Sequence, residues 1–322
     1  MSLHPVIQKM IEAGRAAGRP PFAACSPVQA RAMVASSRAA YGSGPDVQTV
    51  ESLHLPSRAG ALPARLYRPQ ANERGLLVYL HGGGWVCGGL DDFDALARTL
   101  AHLSGCAVLL VDYRLAPEHP FPAGLEDAED ALAWAAEQGM AHLGRPVPLM
   151  VAGDSAGANL GIAAVLALRG RVPVALQCWF YPVTDCDLTR PSYRDFSEGL
   201  PLSRDDMRWF FQHYAAPAHW PDERISVLRT PDLSGAPPAW IATAEYDVLR
   251  DEGEAYAQRL LDASVPVDQV RFAGLPHGFA RMFNLVDTAQ LAVQQAAAAI
   301  AAHGLTDTTA SLPSNPDPEG DR

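Results

Sequence analysis

The stretch Val151-Ala-Gly-Asp-Ser-Ala-Gly-Ala-Asn-Leu-Gly161 contains Gly-x-Ser-x-Gly with Ser155 at its centre. An apolar run, Pro148 to Ala152, precedes it with the length of a buried strand. An alanine-rich run, Leu160 to Arg169, follows it and reads as a helix. A strand that turns at once into a helix holds its central residue in a strained, near-left-handed backbone. Gly153 and Gly157 have no Cβ and let the two arms pass closely. Such a turn lifts the Ser155 hydroxyl above the sheet edge, in front of a helix N-terminus that favours negative charge. The chemistry this permits is nucleophilic attack on a carbonyl carbon.

A serine nucleophile needs a base, and the chain has ten histidines. His4, His54, His102, His142, His213, His219 and His303 fall in helices, at strand ends or in surface-like settings. His81 opens a glycine run, where it more plausibly braces the loop than moves protons. His119 sits among prolines, where a loop-fixing hydrogen bond is expected. His277 alone follows the last expected strand, in Gly274-Leu-Pro-His-Gly-Phe279, at the same sheet edge as Ser155. The base in turn needs an acid to fix its tautomer. Ala244-Glu-Tyr-Asp-Val-Leu-Arg-Asp-Glu252 ends another expected strand. Asp251 and Glu252 are explained by capping of the next helix. Asp247 lies in the loop proper and is the choice, with Glu245 second. Asp154 should point away from the substrate side and act as a structural hydrogen-bonder. Finally, His81-Gly-Gly-Gly-Trp85 follows a buried strand, and successive glycines suit a backbone that aims free N–H groups at an anion. Gly83, Gly84 and Ala156 are therefore the expected oxyanion donors. The order Ser155, Asp247, His277 is the one expected of α/β-hydrolases.

The elements that must carry these residues alternate. Strands are expected at Val47–Leu55, Leu62–Tyr67, Gly75–Leu80, Ala107–Asp112, Pro148–Ala152, Val174–Tyr181, Ala239–Ala244 and Val267–Phe272. Helices are expected at Phe93–Ser104, Leu125–Gln138, Leu160–Arg169, Asp251–Ala263 and Thr288–His303, with two more, 4–18 and 26–42, ahead of the first strand. Alternation of this kind implies a mostly parallel, doubly wound α/β sheet with its ligand beyond the C-terminal strand ends. The rhythm lapses over 185–219, where Trp209-Phe210-Phe211 form a bulky cluster. The expected organisation is a catalytic domain over 46–303, a helical cap made from 1–45 and 185–219, and a disordered tail over 304–322 rich in Pro, Ser, Thr and Asp. Trp85, Trp209, Phe210, Phe211 and Phe279 are candidates for the substrate pocket, with ordinary cap core as the competing explanation of the cluster.

The totals exclude several classes. A net charge of −11 argues against nucleic acid and against an anionic membrane surface. No run approaches the ~20 apolar residues of a membrane span, and the N-terminus lacks the pattern of a secretory signal. Five scattered cysteines without a CxxC pair point to reduced thiols and a cytoplasmic setting. No HExxH or close His/Cys/carboxylate cluster suggests a metal, and no cofactor is expected.

Taken together, His81-Gly-Gly-Gly-Trp85, Tyr113-Arg-Leu-Ala-Pro-Glu-His-Pro-Phe-Pro-Ala123, Gly153-Asp-Ser-Ala-Gly157, Asp247-Val-Leu-Arg-Asp-Glu-Gly253 and His277-Gly-Phe279 resemble the bacterial hormone-sensitive-lipase-like carboxylesterases, over about residues 45–303. The resemblance implies an α/β-hydrolase fold with a helical cap, cofactor-free hydrolysis of short- to medium-chain esters, and the same triad and oxyanion donors. It also implies a homodimer through the sheet edge. One departure is visible: Val248 stands where the family usually has proline, which should loosen that loop slightly. The alternatives are an amidase or deacetylase of N- or O-acyl metabolites, and a non-catalytic receptor on the same fold. Receptors similar to this family lack the catalytic histidine, whereas His277 is in place here.

Overall fold

The computed structural model describes residues 2–304. The tail expectation therefore lies outside the described residues, except for Gly304. Eight strands form one sheet: β1 (Thr49–Ser57), β2 (Gly60–Arg68), β3 (Leu76–Leu80), β4 (Ala107–Val111), β5 (Leu149–Asp154), β6 (Leu176–Phe180), β7 (Ala239–Tyr246) and β8 (Val267–Pro276). Their order is β1-β2-β4-β3-β5-β6-β7-β8. The first two pairings, β1 with β2 and β2 with β4, are antiparallel, and the rest are parallel. Every residue of β3, β4, β5 and β6 is buried, as expected of parallel strands covered on both faces.

The helices are α1 (Pro5–Ala16), α2 (Pro27–Ser36), α3 (Arg38–Tyr41), α4 (Leu90–Ser104), α5 (Ala123–Trp134), α6 (Met140–Leu143), α7 (Ala156–Ala167), α8 (Pro191–Asp195), α9 (Arg204–Tyr214), α10 (Arg250–Asp262) and α11 (Asp287–His303). Alternate strand residues feed two cores. Leu76, Val78 and Leu80 of β3 face the core shared with α5, α7 and α10. Leu77 and Tyr79 face the one shared with α4 and α11. The expected alternation is thus realised, and the fold is α/β as read.

Three differences bear on the site. The strand before Ser155 runs to Asp154, and α7 starts at Ala156 rather than Leu160, so Ser155 is the whole connection. The residues Gly153 to Asn159 look like a loop in isolation, being rich in turn formers. Packing against Leu80 and His81 makes them strand and helix instead. The last two strands are longer than expected: β7 takes in Glu245 and Tyr246, and β8 runs to Pro276, directly before His277. The strand–helix rhythm lapses for longer than 185–219, because no strand intervenes between Phe180 and Ala239. Within that lapse, α9 is closed by a capping box. The Ser203 hydroxyl accepts the Asp206 N–H, and the Asp206 carboxylate accepts the Ser203 N–H. The other Asp206 oxygen accepts the N–H of Ala23 at 2.8 Å, which ties α9 to the short turn before α2.

Candidate active site

Four parallel strands deliver the site at their C-terminal ends. Ser155 follows β5 with φ +54° and ψ −119°, a backbone that L-residues adopt only under constraint. The constraint is visible. Its N–H donates to Phe180 on β6, and its carbonyl accepts from Val183 and Asn159. A Cβ on Gly157 would lie 2.1 Å from the Leu80 carbonyl oxygen, and one on Gly153 would lie 2.9 Å from the Ala158 nitrogen. Only glycine lets α7 descend this close to β3.

The Ser155 hydroxyl lies 3.0 Å from His277 Nε2, and His277 Nδ1 lies 2.8 Å from Asp247 Oδ2. Asp247 is buried, and its second oxygen accepts the Leu249 N–H. With Nδ1–H donating to the carboxylate, Nε2 carries the lone pair that accepts the serine proton. The structure thus brings together all three side chains expected from the sequence. Glu245, the second choice for the acid, instead accepts the Gly274 N–H at 2.7 Å. Val248, where proline is usual, is buried, and its carbonyl accepts the Ser192 hydroxyl at 2.6 Å, so this loop is held by another route.

Gly82 to Cys87 form a tight turn after β3. The N–H groups of Val86 and Cys87 both return to the Gly83 carbonyl. Gly83, Gly84 and Trp85 all have positive φ (127°, 62° and 60°). The Gly82 N–H is committed to Asp154 at 2.8 Å. The N–H groups of Gly83, Gly84 and Ala156 have no acceptor among the described residues. Unpaired donors from two chain segments are what an oxyanion developing at Ser155 would require.

Behind this surface Asp154 organises the parts. Besides Gly82, it accepts the Tyr79 hydroxyl at 2.9 Å and lies 3.5 Å from that of Tyr181. The Tyr181 hydroxyl in turn accepts the Ala280 N–H, and its ring packs 4.7 Å from His277. Burial pushes the Asp154 carboxyl up to about 6, against the bonds from Gly82 and Tyr79. The expectation that Asp154 is structural agrees with this. His81 also braces: Nδ1 contacts the Gly82 carbonyl at 2.8 Å, and its ring is sandwiched between Phe93 and Tyr113. Burial lowers it to about 4, so it stays neutral near pH 7.

Three minor expectations fail. Asp251 does not cap α10, which has no side-chain cap; it accepts the Ser192 N–H at 2.8 Å. Glu252 does not cap α10; its carboxylate reaches back to the N–H groups of Thr184 and Asp185 at the start of the irregular segment. His119 has no side-chain hydrogen bond among the described residues; the bond that fixes its loop runs from its own N–H to the Leu115 carbonyl. The roles of Tyr79, in buried β3, and Tyr181, just past the end of β6, are not legible in the sequence, because a buried tyrosine carries no local sign of what its hydroxyl meets.

The aromatic candidates divide. The Phe210 ring lies directly over Gly84, where a Cβ would be 2.0 Å from it, and Trp209 packs edge-on to Phe210. Trp85 stacks on Tyr214 at 4.3 Å with Phe211 beside it, all three buried. Phe279 is buried against Phe180, Tyr181 and Phe272, in the α4/α11 core beneath His277. Phe210 is the one of the five seated on Gly84. Among the described residues no group of three or more His, Cys, Asp or Glu side chains could hold a metal ion, and no helix is long and apolar enough to cross a membrane.

Comparison with known proteins agrees with the geometry. The family described as the alpha/beta hydrolase fold matches residues 77–281. The carboxylic ester hydrolase LipN of Mycobacterium tuberculosis is 38% identical over 317 residues, covering 94% of this chain and 83% of that protein. The ethyl acetate hydrolase of Pseudomonas putida is 38% identical over 303 residues, covering 90% and 95%. Among solved structures, a hyperthermophilic esterase from the archaeon Pyrobaculum calidifontis superposes with a TM-score of 0.89 at 36% identity, over 95% of this chain and 100% of that one. The chain belongs to the alpha/beta-hydrolase fold family, in its hormone-sensitive-lipase-like branch.

Proposed function

We propose that this carboxylic ester hydrolase works by two-step acyl transfer with Ser155 as nucleophile, His277 as general base and Asp247 as its orienting acid. The observation that carries this reading is the unbroken relay, 3.0 Å and then 2.8 Å, ending on a buried carboxylate. As Ser155 attacks, its proton passes to His277 Nε2, and the imidazolium is stabilised by Asp247 across Nδ1–H. The carbonyl oxygen gains charge and is received by the N–H groups of Gly83, Gly84 and Ala156 at the N-terminus of α7. His277 then protonates the leaving alcohol. Water, deprotonated by the same ring, attacks the acyl-enzyme and releases the acid.

The substrates are small esters of short- to medium-chain acids. Residues 1–45 and 185–219 form a helical cap over the site, for which the bond between Ala23 and Asp206 is the support. Phe210 lines the pocket where it meets Gly84, with Trp209 behind it. The protein is a cytoplasmic enzyme, a reading supported by five free thiols; cell fractionation that recovers it outside the cytoplasm refutes this. It forms a homodimer through a free edge of the sheet, and a monomeric mass by light scattering refutes that.

The test of the mechanism is Ser155→Ala on p-nitrophenyl butyrate. Loss of about 10⁴–10⁶-fold in kcat is expected, together with loss of labelling by a fluorophosphonate probe. Parental turnover by the variant rules the mechanism out. A chain-length series of p-nitrophenyl esters then fixes the acyl preference.

A further inference from the structure

α2 carries no group of the triad, yet its Arg31 reaches the oxyanion loop. Arg31 Nε donates to the Val86 carbonyl at 2.8 Å, and Nη2 donates to the Ala116 carbonyl at 2.9 Å. The two Nη groups also meet the Glu118 carboxylate at 2.8 and 2.5 Å. One planar fork thus joins the N-terminal helices to two loops that carry no helix or strand of their own.

The position of Val86 gives this contact its meaning. The N–H groups of Val86 and Cys87 close the turn onto Gly83, while the Trp85 carbonyl accepts the Ala116 N–H. The turn therefore binds its own start through its N–H groups, and Arg31 holds its far side through the Val86 carbonyl. Glycine adopts positive φ freely at 83 and 84, but at Trp85 it is costly and persists only where the surroundings over-determine it. Residues just before α2 supply a second grip. Phe22 packs on Phe210 at 5.1 Å, and Phe210 rests on Gly84. The stretch from Phe22 to Arg31 therefore holds the turn at two points, one polar and one apolar.

We propose that Arg31 is a positioning residue for the oxyanion hole: by holding the Val86 and Ala116 carbonyls, it makes the seating of the N-terminal helices and the alignment of the Gly83 and Gly84 N–H groups a single event. This rests on the reading above that those N–H groups receive the oxyanion. Arg31 is part-exposed, at 30%, and Glu118 is more so, at 52%. Water can therefore take over the two carbonyls when the guanidinium is removed, and the chain should still fold. What is lost is the fixed geometry of the turn. A displacement near 1 Å at reacting groups costs on the order of 10²-fold in rate.

The experiment uses full-length Arg31→Ala and Arg31→Lys, with Arg38→Ala as comparator. Arg38 pairs with Asp92 from α3 and is not bonded to the oxyanion loop. Three quantities are read: kcat and KM on p-nitrophenyl butyrate, the Ki of a trifluoromethyl ketone, and thermal midpoint. The ketone adds to Ser155 and places an oxyanion in the hole without a leaving group.

For Arg31→Ala, kcat should fall about 10- to 100-fold, with KM changed little and the ketone Ki raised by a similar factor. Arg31→Lys should be intermediate, since an ammonium keeps the charge but lacks the planar fork that meets both carbonyls and Glu118. Guanidinium at sub-denaturing concentration should restore part of kcat to Arg31→Ala and none to Arg38→Ala. Unchanged kcat and ketone Ki in Arg31→Ala overturns the proposal. So does a loss that appears equally in Arg38→Ala and follows the thermal midpoint, which marks a merely structural contact. If the wild-type enzyme hydrolyses the ester yet neither the ketone nor a fluorophosphonate reacts with it, the oxyanion-hole reading itself fails and this inference falls with it.

Discussion

Replacing Asp154 by alanine tests how the nucleophile turn and the oxyanion loop are joined. The Asp154 side chain accepts from the Gly82 N–H at 2.8 Å and the Tyr79 hydroxyl at 2.9 Å, both in the interior. Truncation strands both donors. Each buried donor left without a partner costs about 1–3 kcal/mol, so Asp154→Ala should lose ~2–6 kcal/mol of unfolding free energy. Releasing Gly82 also frees the turn that presents Gly83 and Gly84, so kcat should fall by about one to two orders of magnitude. Gly82 and Tyr79 both donate to Asp154 Oδ1, so Asp154→Asn keeps an acceptor for both and places its amide at the Oδ2 position beside Tyr181; it should lose much less.

The two variants also differ in pH dependence. Burial raises this carboxyl from 3.8 to about 6. Between those values the native state binds the proton that the unfolded chain has released, so wild-type stability falls as pH rises through the window. The rise corresponds to about 3 kcal/mol at most. Asp154→Asn lacks this slope, and its deficit relative to wild type should shrink from pH 4 to pH 7. Urea unfolding at a series of pH values, with kcat from p-nitrophenyl butyrate, measures both effects. If Asp154→Ala unfolds within ~0.5 kcal/mol of wild type, the size of an ordinary surface change, and keeps full turnover, the bonds to Gly82 and Tyr79 do not hold the loop.

Gly157→Ala should be far more damaging than its size suggests. The new Cβ would sit 2.1 Å from the Leu80 oxygen and 2.4 Å from the His81 oxygen, both backbone, at an expected cost of about 3 kcal/mol or more. A soluble variant melting within ~2 °C of wild type, too small a shift for such a cost, would contradict that close approach. Glu252 is fully buried, and desolvation lifts it to about 8 from 4.5 against the N–H bonds from Thr184 and Asp185. Its contribution to stability is present at low pH and is lost as pH rises through that interval. Glu252→Gln retains an oxygen for both N–H groups, so its urea midpoint should decline less between pH 5 and pH 8 than that of wild type; parallel declines refute the assignment.

The order of strands and helices was legible because buried parallel strands are short apolar runs and the helices between them show 3.6-residue spacing. Ser155, Asp247 and His277 were legible for a related reason. Chemistry in such sheets sits at C-terminal strand ends, and each of the three comes within five residues of the end of an expected strand. The sequence by itself thus determined the layered fold and the strand ends at which Ser155, Asp247 and His277 meet.

Only the tertiary structure decided how those ends are held together. Asp154 joins β5 to the turn after β3 across 72 residues of chain. Tyr181 touches His277 from just beyond the end of β6, and Arg31 reaches Val86 and Ala116 from a helix ahead of the sheet. The same holds for the limits of α7 and for the place of Phe279, which packs in the core rather than near Gly84. The physical reason is that hydrophobic periodicity is set by each element's own burial, whereas a hydrogen bond between distant segments depends on where the folded chain places both partners. Nothing in the neighbours of Arg31 or Tyr181 along the chain records that placement.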